Sequence, residues 1–236
     1  SGRVEIEMEI SGRSLEEARE RYADMNFRAS TDRGGVTLRS DRSRSVWGGG
    51  SRGHFNVVAR IRVPERFDLD LSTDDGDVAN EAVDGRITVE SSDGDVAICR
   101  ATTSGDVKIV ASDGDIALGG LVGDDVTVNT DDGDISVANM DTRGLTLRSS
   151  DGDISAGSIA GPLTATTSDG DISVDIDRFD ETMLKSGDGD IEIRFDRSVG
   201  AEIDLSGDEI SFRRTSVAFE GDIRESSARG SLNGGG

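Results

Sequence analysis

A short motif recurs at a nearly constant spacing through most of this 236-residue chain. The motif is Asp-Gly-Asp followed by Val or Ile, and a degraded copy, Gly-Asp-Glu-Ile, follows seven intact ones. The aliphatic residues that close the copies lie at positions 78, 96, 116, 135, 154, 172, 191 and 210, a mean step of about 19 residues. A short period held over this length indicates a repeat architecture in which successive copies stack on one another.

Each copy of the repeat also alternates apolar and polar residues. Residues 135–137 are Ile-Ser-Val, and residues 145–147 are Leu-Thr-Leu after a second turn at Gly144. A period of two is typical of strands with one buried face. A third apolar position lies between the two segments, occupied in successive copies by Val83, Ala101, Leu121, Met140 and Ile159. Two strands and a short third side cannot enclose a core alone, so successive coils must stack.

The repeat therefore predicts an all-β fold, a single-stranded parallel β-helix (β-solenoid) of about eight coils with about 19 residues each. We expect a right-handed coil, because parallel crossover connections are overwhelmingly right-handed. In-register stacking predicts two buried columns on the motif side of the coil. The first contains Val78, Val96, Ile116, Ile135, Ile154, Ile172, Ile191 and Ile210. The second contains Ile98, Leu118, Val137, Ala156, Val174, Ile193 and Phe212.

The residues before the repeats have a different pattern. Residues 4–10 alternate as a strand does, and Ser14 with Glu17 forms a capping box that predicts a helix over residues 15–25. A Gly-rich loop over residues 41–53 precedes another alternating run. We predict three regions. They are an N-terminal cap over residues 1–63, solenoid repeats over residues 64–223 and a flexible Gly-rich tail over residues 224–236.

Charge and composition limit the partners of the chain. Asp plus Glu number 48 against 26 Lys plus Arg, so the formal net charge is −22, which would repel a nucleic-acid backbone. No apolar run approaches the roughly 18 residues that span a bilayer, so we expect no membrane insertion by these residues. Cys99 is the single cysteine, which excludes an intramolecular disulfide.

Two columns of aspartates are the candidate site. One explanation is structural: the second Asp of each motif accepts hydrogen bonds from backbone N–H groups in its own turn, glycine supplies a positive φ, and the first Asp extends into solvent. The other is a Ca²⁺ site, because stacked carboxylates with carbonyls and water supply the oxygen ligands that Ca²⁺ prefers. The candidate ligands are Asp75, Asp77, Asp93, Asp95, Asp113, Asp115, Asp132, Asp134, Asp151, Asp153, Asp169, Asp171, Asp188 and Asp190.

The sequence argues against catalysis. Adjacent acid pairs occur, such as Asp124-Asp125, but a glycosidase needs two carboxylates in unequal environments, not an even ladder. His54, the only histidine, lies beside the Gly-rich loop, and Cys99 has no second histidine to activate it. Trp47, flanked by arginines in that loop, is the one candidate contact point for a partner.

The chain resembles a bacterial, adhesin-like family of β-strand-repeat proteins of unknown function, whose members carry tandem Gly-Asp-Ile/Val motifs. The matching residues are the Gly-Asp units from Gly76 to Ile191, the run 57–64 and the Gly-rich loop before it. Residues 14–25 resemble a helix that some members place between their first strands, and residues 228–236 resemble a linker ahead of a last strand. The chain departs from the family at the position before each motif glycine, where Asp replaces the usual Ser or Gly.

The resemblance implies an exported or membrane-anchored, extracytoplasmic β-helical protein with no established chemistry. We expect a non-catalytic structural and binding protein of the cell envelope or cell surface, with a protein or a glycan as partner. A Ca²⁺-binding solenoid that the Asp columns rigidify is the alternative. A carbohydrate-active enzyme on a β-helix is a third hypothesis, which the even spacing of the carboxylates disfavours.

Overall fold

The structure is a computed structural model, which describes residues 4–11, 14–24, 27–31, 36–40, 56–74, 76–81, 83–178, 181–195, 201–213 and 219–232. The chain divides into two compact units, Ser1–Pro64 and Glu65–Gly236. That the first unit caps the solenoid stays a prediction. The loop over residues 41–53, with Trp47, and the neighbouring His54 lie outside the described residues.

The first unit contains one helix and two antiparallel strand pairs. Its elements are β1 (Glu5–Ser11), α1 (Leu15–Asp24), β2 (Phe27–Thr31), β3 (Val36–Ser40) and β4 (Asn56–Arg62). Strand β1 pairs with β4, and β2 pairs with β3. Ser14, the first residue of the predicted capping box, precedes α1, and its carbonyl oxygen accepts a hydrogen bond from the Ala18 N–H at 3.0 Å. The helix predicted from that signature is therefore present.

The second unit is a β-solenoid of about seven turns with a spacing of about 19 residues. Its first nine strands are β5 (Leu69–Thr73), β6 (Val78–Glu81), β7 (Ile87–Ser91), β8 (Val96–Cys99), β9 (Thr102–Thr103), β10 (Val107–Val110), β11 (Ile116–Gly119), β12 (Val122–Asn129) and β13 (Ile135–Arg148). The others are β14 (Ile154–Ala160), β15 (Leu163–Thr166), β16 (Ile172–Arg178), β17 (Glu181–Lys185), β18 (Ile191–Phe195), β19 (Ala201–Ser206), β20 (Ile210–Arg213), β21 (Phe219–Ile223) and β22 (Ser227–Leu232).

Parallel pairing between coils builds two main faces and the predicted short third side, where β9, the start of β12 and the middle of β13 pair. The motif sheet consists of β6, β8, β11, the start of β13, β14, β16, β18 and β20, which follow the Asp-Gly-Asp turns. The return sheet consists of β5, β7, β10, the ends of β12 and β13, β15, β17 and β19. Ile135 pairs with Ile116 on one side and Ile154 on the other, so the predicted in-register column is confirmed. The handedness of the coil stays a prediction.

The core runs along the inside of the stacked coils. Ile135 and Ile154 are each 1% exposed, and the predicted third inward position is also buried, at 1% for Met140. Burial of one such side chain contributes about 1.5 to 3 kcal/mol, and the repeat places several in each coil. The regular aliphatic core thus follows directly from the alternation in the sequence.

The C-terminal end of the solenoid differs from the sequence prediction. The flexible tail predicted over residues 224–236 is wrong for Ser227–Leu232, because β22 pairs antiparallel with both β19 and β21. Ala228 is 1% exposed in this arrangement. The pairing gives partners to backbone groups of β19 that would otherwise form an open edge. The parallel series therefore ends in an antiparallel hairpin, after about seven turns instead of the eight expected from the motif count.

Candidate functional site

The motif turns are joined by a column of buried hydroxyl groups. Ser149 Oγ accepts a hydrogen bond from the Gly152 N–H at 2.9 Å and donates one to the Gly133 carbonyl of the preceding coil at 3.1 Å. Thr167 makes the equivalent pair of contacts at 3.2 and 3.0 Å. The hydroxyl column contains Thr73, which is half-buried, and the buried residues Ser91, Thr130, Ser149, Thr167 and Ser186, and Ala111 interrupts it. One side chain thus shapes its own turn and also ties that turn to its neighbour.

The second Asp of each motif forms a hydrogen-bonded ladder, which we call the inner Asp column. Asp134 Oδ1 accepts a hydrogen bond from the Asp153 N–H at 2.8 Å, and Asp153 Oδ1 accepts one from the Asp171 N–H at 2.8 Å. Six such links, between 2.8 and 3.2 Å, run from Asp77 to Asp190. The predicted acceptor role is confirmed, but the donor was assigned to the wrong turn. In-register stacking places the next coil's N–H within reach of the carboxylate.

The motif glycines are required for a reason other than the one predicted. A positive φ was expected, yet the glycines with positive φ in the described chain are Gly85, Gly120, Gly161, Gly221 and Gly230, none of which belongs to the motif. A Cβ added to a motif glycine would instead overlap the carbonyl oxygen of the glycine one coil earlier. This holds for Gly94, Gly114, Gly133, Gly152, Gly170 and Gly189. Close approach of stacked backbones, not local conformation, selects glycine here.

The first Asp of each motif forms an outer Asp column. Its described members, Asp93, Asp113, Asp132, Asp151, Asp169 and Asp188, are exposed, as predicted, and Asp75 lies outside the described residues. Their backbone N–H groups bond to the preceding coil, as Asp151 does to the Asp131 carbonyl at 3.0 Å. Within the described chain their carboxylates make no hydrogen bond or ion pair. The two columns therefore carry the same charge but differ in how the fold uses it.

The stacked carboxylates repel one another. At the strand spacing of about 4.8 Å, two unit charges in water repel by about 1 kcal/mol. Six inner carboxylates, from Asp77 to Asp171, each have a backbone N–H dipole aimed at one oxygen, which offsets part of this repulsion. Across the described residues, no three or more His, Cys, Asp or Glu side chains are arranged to hold a metal ion. Calcium binding by the two columns stays a prediction, and the ion would compete with the N–H group for the inner carboxylates.

An open groove lined by polar and charged residues and glycine lies at the corner between the return sheet and the motif turns. It has a volume of about 670 Å³ and crosses four coils. Arg148, Thr166 and Lys185 occupy one outward position on successive coils and form one wall. Asp169 and Asp188 lie among the residues on the turn side. This groove was not predicted from the sequence, although two cations at the same repeat position in a strongly acidic chain are a signal for it.

Two arginines outside the groove form ion pairs between coils. Arg143 Nε lies 3.1 Å from Asp124 Oδ1, so this carboxylate of the adjacent pair Asp124-Asp125 belongs to an ion pair. Arg86 and Asp68 are 3.4 Å apart across one coil boundary. Such exposed pairs contribute about 0.2 to 1 kcal/mol each. The lone Cys99 is an exposed free thiol at the end of β8.

Comparison with known families places the chain. The family model described as Toastrack DUF4097 matches residues 4–220. The chain belongs to the Toastrack family. The match spans both units of this Toastrack protein, from the first strand to within β21. Searches of curated proteins and of solved structures find no match. No helix among the described residues is long and apolar enough to cross a membrane.

Proposed function

We propose that this Toastrack protein is a non-catalytic, adhesin-like structural and binding protein of the bacterial cell envelope or cell surface. In this proposal the solenoid is a rigid acidic rod that presents its faces to a protein or glycan partner. The observation that carries the proposal is the set of hydrogen bonds between successive motif turns, because the repeated polar residues form these bonds with neighbouring coils. The hydroxyl column, the motif glycines and the inner Asp column all serve stacking.

A catalytic use of the inner Asp column would need two carboxylates in unequal environments. Glycoside hydrolysis requires one carboxyl group that stays protonated and one that stays ionised, which their environments impose. Asp134 and Asp153 have equivalent surroundings, since each accepts one N–H from the next coil at 2.8 Å. This equivalence supports a structural role for the inner Asp column. It leaves the exposed outer surface of the rod for binding.

An extracytoplasmic location rests on the resemblance to exported adhesin-like proteins. The exposed Cys99 provides a direct test, because it is the only thiol in the chain. Cells expressing the full-length gene would be treated with a charged maleimide that does not cross the cytoplasmic membrane. We expect labelling of intact cells, with Cys99→Ser as the unlabelled control. Labelling only after the cytoplasmic membrane is opened would contradict the location.

Binding without catalysis is tested by co-sedimentation with isolated bacterial envelopes. We expect saturable sedimentation of the full chain and no change in the length or composition of the envelope polymers. Bovine serum albumin, a folded acidic protein, controls for non-specific trapping. Release of soluble fragments from the polymers, or sedimentation no greater than that of the control, would contradict the proposal.

A further inference from the structure

The groove between the return sheet and the motif turns contains two cations that no carboxylate of the described chain neutralises. Arg148 and Lys185 are exposed, and neither forms an ion pair within the described part of the chain, although Asp169 and Asp188 line the same groove. They lie two coils apart, about 10 Å at the strand spacing. Arg143, by comparison, is bonded to a carboxylate of the preceding coil. The donors of the groove are therefore free to meet a ligand.

The hydroxyl groups at the floor of the groove already have hydrogen-bond partners within the protein. The hydroxyls of Ser149 and Thr167 are engaged with motif glycines on both sides. A ligand would consequently meet the walls, with N–H donors along one side and carboxylate acceptors along the other. The groove thus offers both kinds of hydrogen-bonding group over a length of four coils.

The charges of the two walls narrow the class of ligand. A polyanion would be repelled by Asp131, Asp169 and Asp188 and by the net charge of −22. A polycation would be repelled by Arg148 and Lys185 in the groove and attracted to the outer Asp column outside it, where Asp93, Asp113 and Asp132 are exposed. The residues that line the groove include no aromatic or large aliphatic side chain, so it offers no pocket for an apolar peptide anchor. A chain of hydroxyl groups has no net charge and both donates and accepts hydrogen bonds. Such a chain is complementary to both walls at once.

We propose that the groove binds an uncharged linear oligosaccharide that lies along the solenoid axis, a specific form of the binding function proposed above. Arg148 and Lys185 donate hydrogen bonds to sugar oxygens across the spacing of two coils. Asp169 and Asp188 accept hydrogen bonds from sugar hydroxyls on the opposite side. The net charge of −22 disfavours anionic polymers.

The test uses the full chain and three neutral hexasaccharides: β-1,4-linked glucose, α-1,4-linked glucose and β-1,4-linked N-acetylglucosamine. Binding is followed by the shifts of backbone amide NMR signals. We expect at least one hexamer to shift signals of the groove coils, with an affinity that changes less than twofold between 50 and 500 mM salt. The double variant Arg148→Ala/Lys185→Ala should weaken binding about tenfold or more, since two hydrogen bonds are lost. Lys108→Ala removes an unpaired cation of the same sheet outside the groove and should change affinity less than twofold.

The outcomes separate this proposal from the general one. Absence of binding by all three hexamers, or equal binding by the double variant, would overturn the groove assignment. Binding of an oligogalacturonate or a charged peptide that weakens steeply with salt would also overturn it, in favour of an ionic ligand. Envelope co-sedimentation that persists in the double variant would leave the general binding function standing while the groove assignment fails.

Discussion

The two corners of the motif sheet bend the chain for different physical reasons. At the motif turn, the same residues recur in coil after coil because each turn lies against the one before it. At the opposite corner, the aligned residues are Arg100, Gly120, Asn139 and Ser158, with φ between 55 and 65°. Only Gly120 adopts this left-handed conformation without a steric cost. Contact between coils therefore enforces sequence identity, whereas local backbone strain is tolerated in varied residues.

The sharpest test of this comparison exchanges one glycine at each corner for alanine. Gly152→Ala would place a Cβ against the Gly133 carbonyl oxygen and should lower the free energy of unfolding by about 3 kcal/mol or more. Gly120→Ala would make only an ordinary contact, 3.4 Å from Arg100 Cγ, and should cost about 1 to 2 kcal/mol for its positive φ. Urea unfolding measures both, and equal losses would contradict the distinction.

A substitution in the hydroxyl column should give the next largest change in the free energy of unfolding. Ser149→Ala removes the acceptor of the Gly152 N–H and the donor to the Gly133 carbonyl, so we expect a loss of about 1 to 2 kcal/mol. The natural interruption offers the reverse experiment. Ala111→Ser should add these contacts and raise the melting temperature. A neutral result for both variants would remove the hydroxyl column from the account of stacking.

Two substitutions in the inner Asp column distinguish the effect of its hydrogen bonds on stability from the effect of its negative charge. Asp134→Ala removes the acceptor for the Asp153 N–H and should cost about 1 kcal/mol. Asp134→Asn keeps an acceptor oxygen and removes one charge from a repulsive column, so its stability should equal or exceed that of the wild type. Thermal unfolding at low salt checks the pair. A larger loss for Asn than for Ala would show that the negative charge itself is needed.

The smallest expected effect is at the strained corner. Ser158→Gly should raise the free energy of unfolding by about 0.5 kcal/mol, because glycine relieves the φ of 55° but gains entropy in the unfolded chain. Ser155→Gly, in β14 of the same coil, relieves no such strain and should lower stability by about 0.5 to 1 kcal/mol. Changes of the same sign would argue against strain at this corner.

The alternation of apolar and polar residues predicted the solenoid from the sequence alone. Column positions such as Ile135 and the third inward position at Met140 are buried as the pattern predicts. The strand at the C-terminal end of the solenoid could not be predicted from such a pattern. Residues 227–232 contain two apolar side chains, Ala228 and Leu232, and no regular alternation, so their strand is stabilised by backbone pairing with β19 and β21.

The candidate site was located by sequence but not explained by it. The spacing placed both Asp columns in register, and the separation of inner from outer roles was anticipated. The donor to each inner carboxylate and the requirement for glycine were not, because both arise between residues about 19 positions apart. The groove also escaped detection, since Arg148 and Lys185 become neighbours only after two coils have stacked.

The sequence by itself determined the period, the strand faces and the composition of the core of this Toastrack protein, because these depend on local alternation and on burial. The tertiary structure alone decided which groups satisfy one another across coils, how the solenoid ends and where unpaired cations meet carboxylates. The physical reason is the same in each case: hydrogen bonds and charges act over a few ångströms. Stacking therefore sets their partners, and the order of residues along the chain does not.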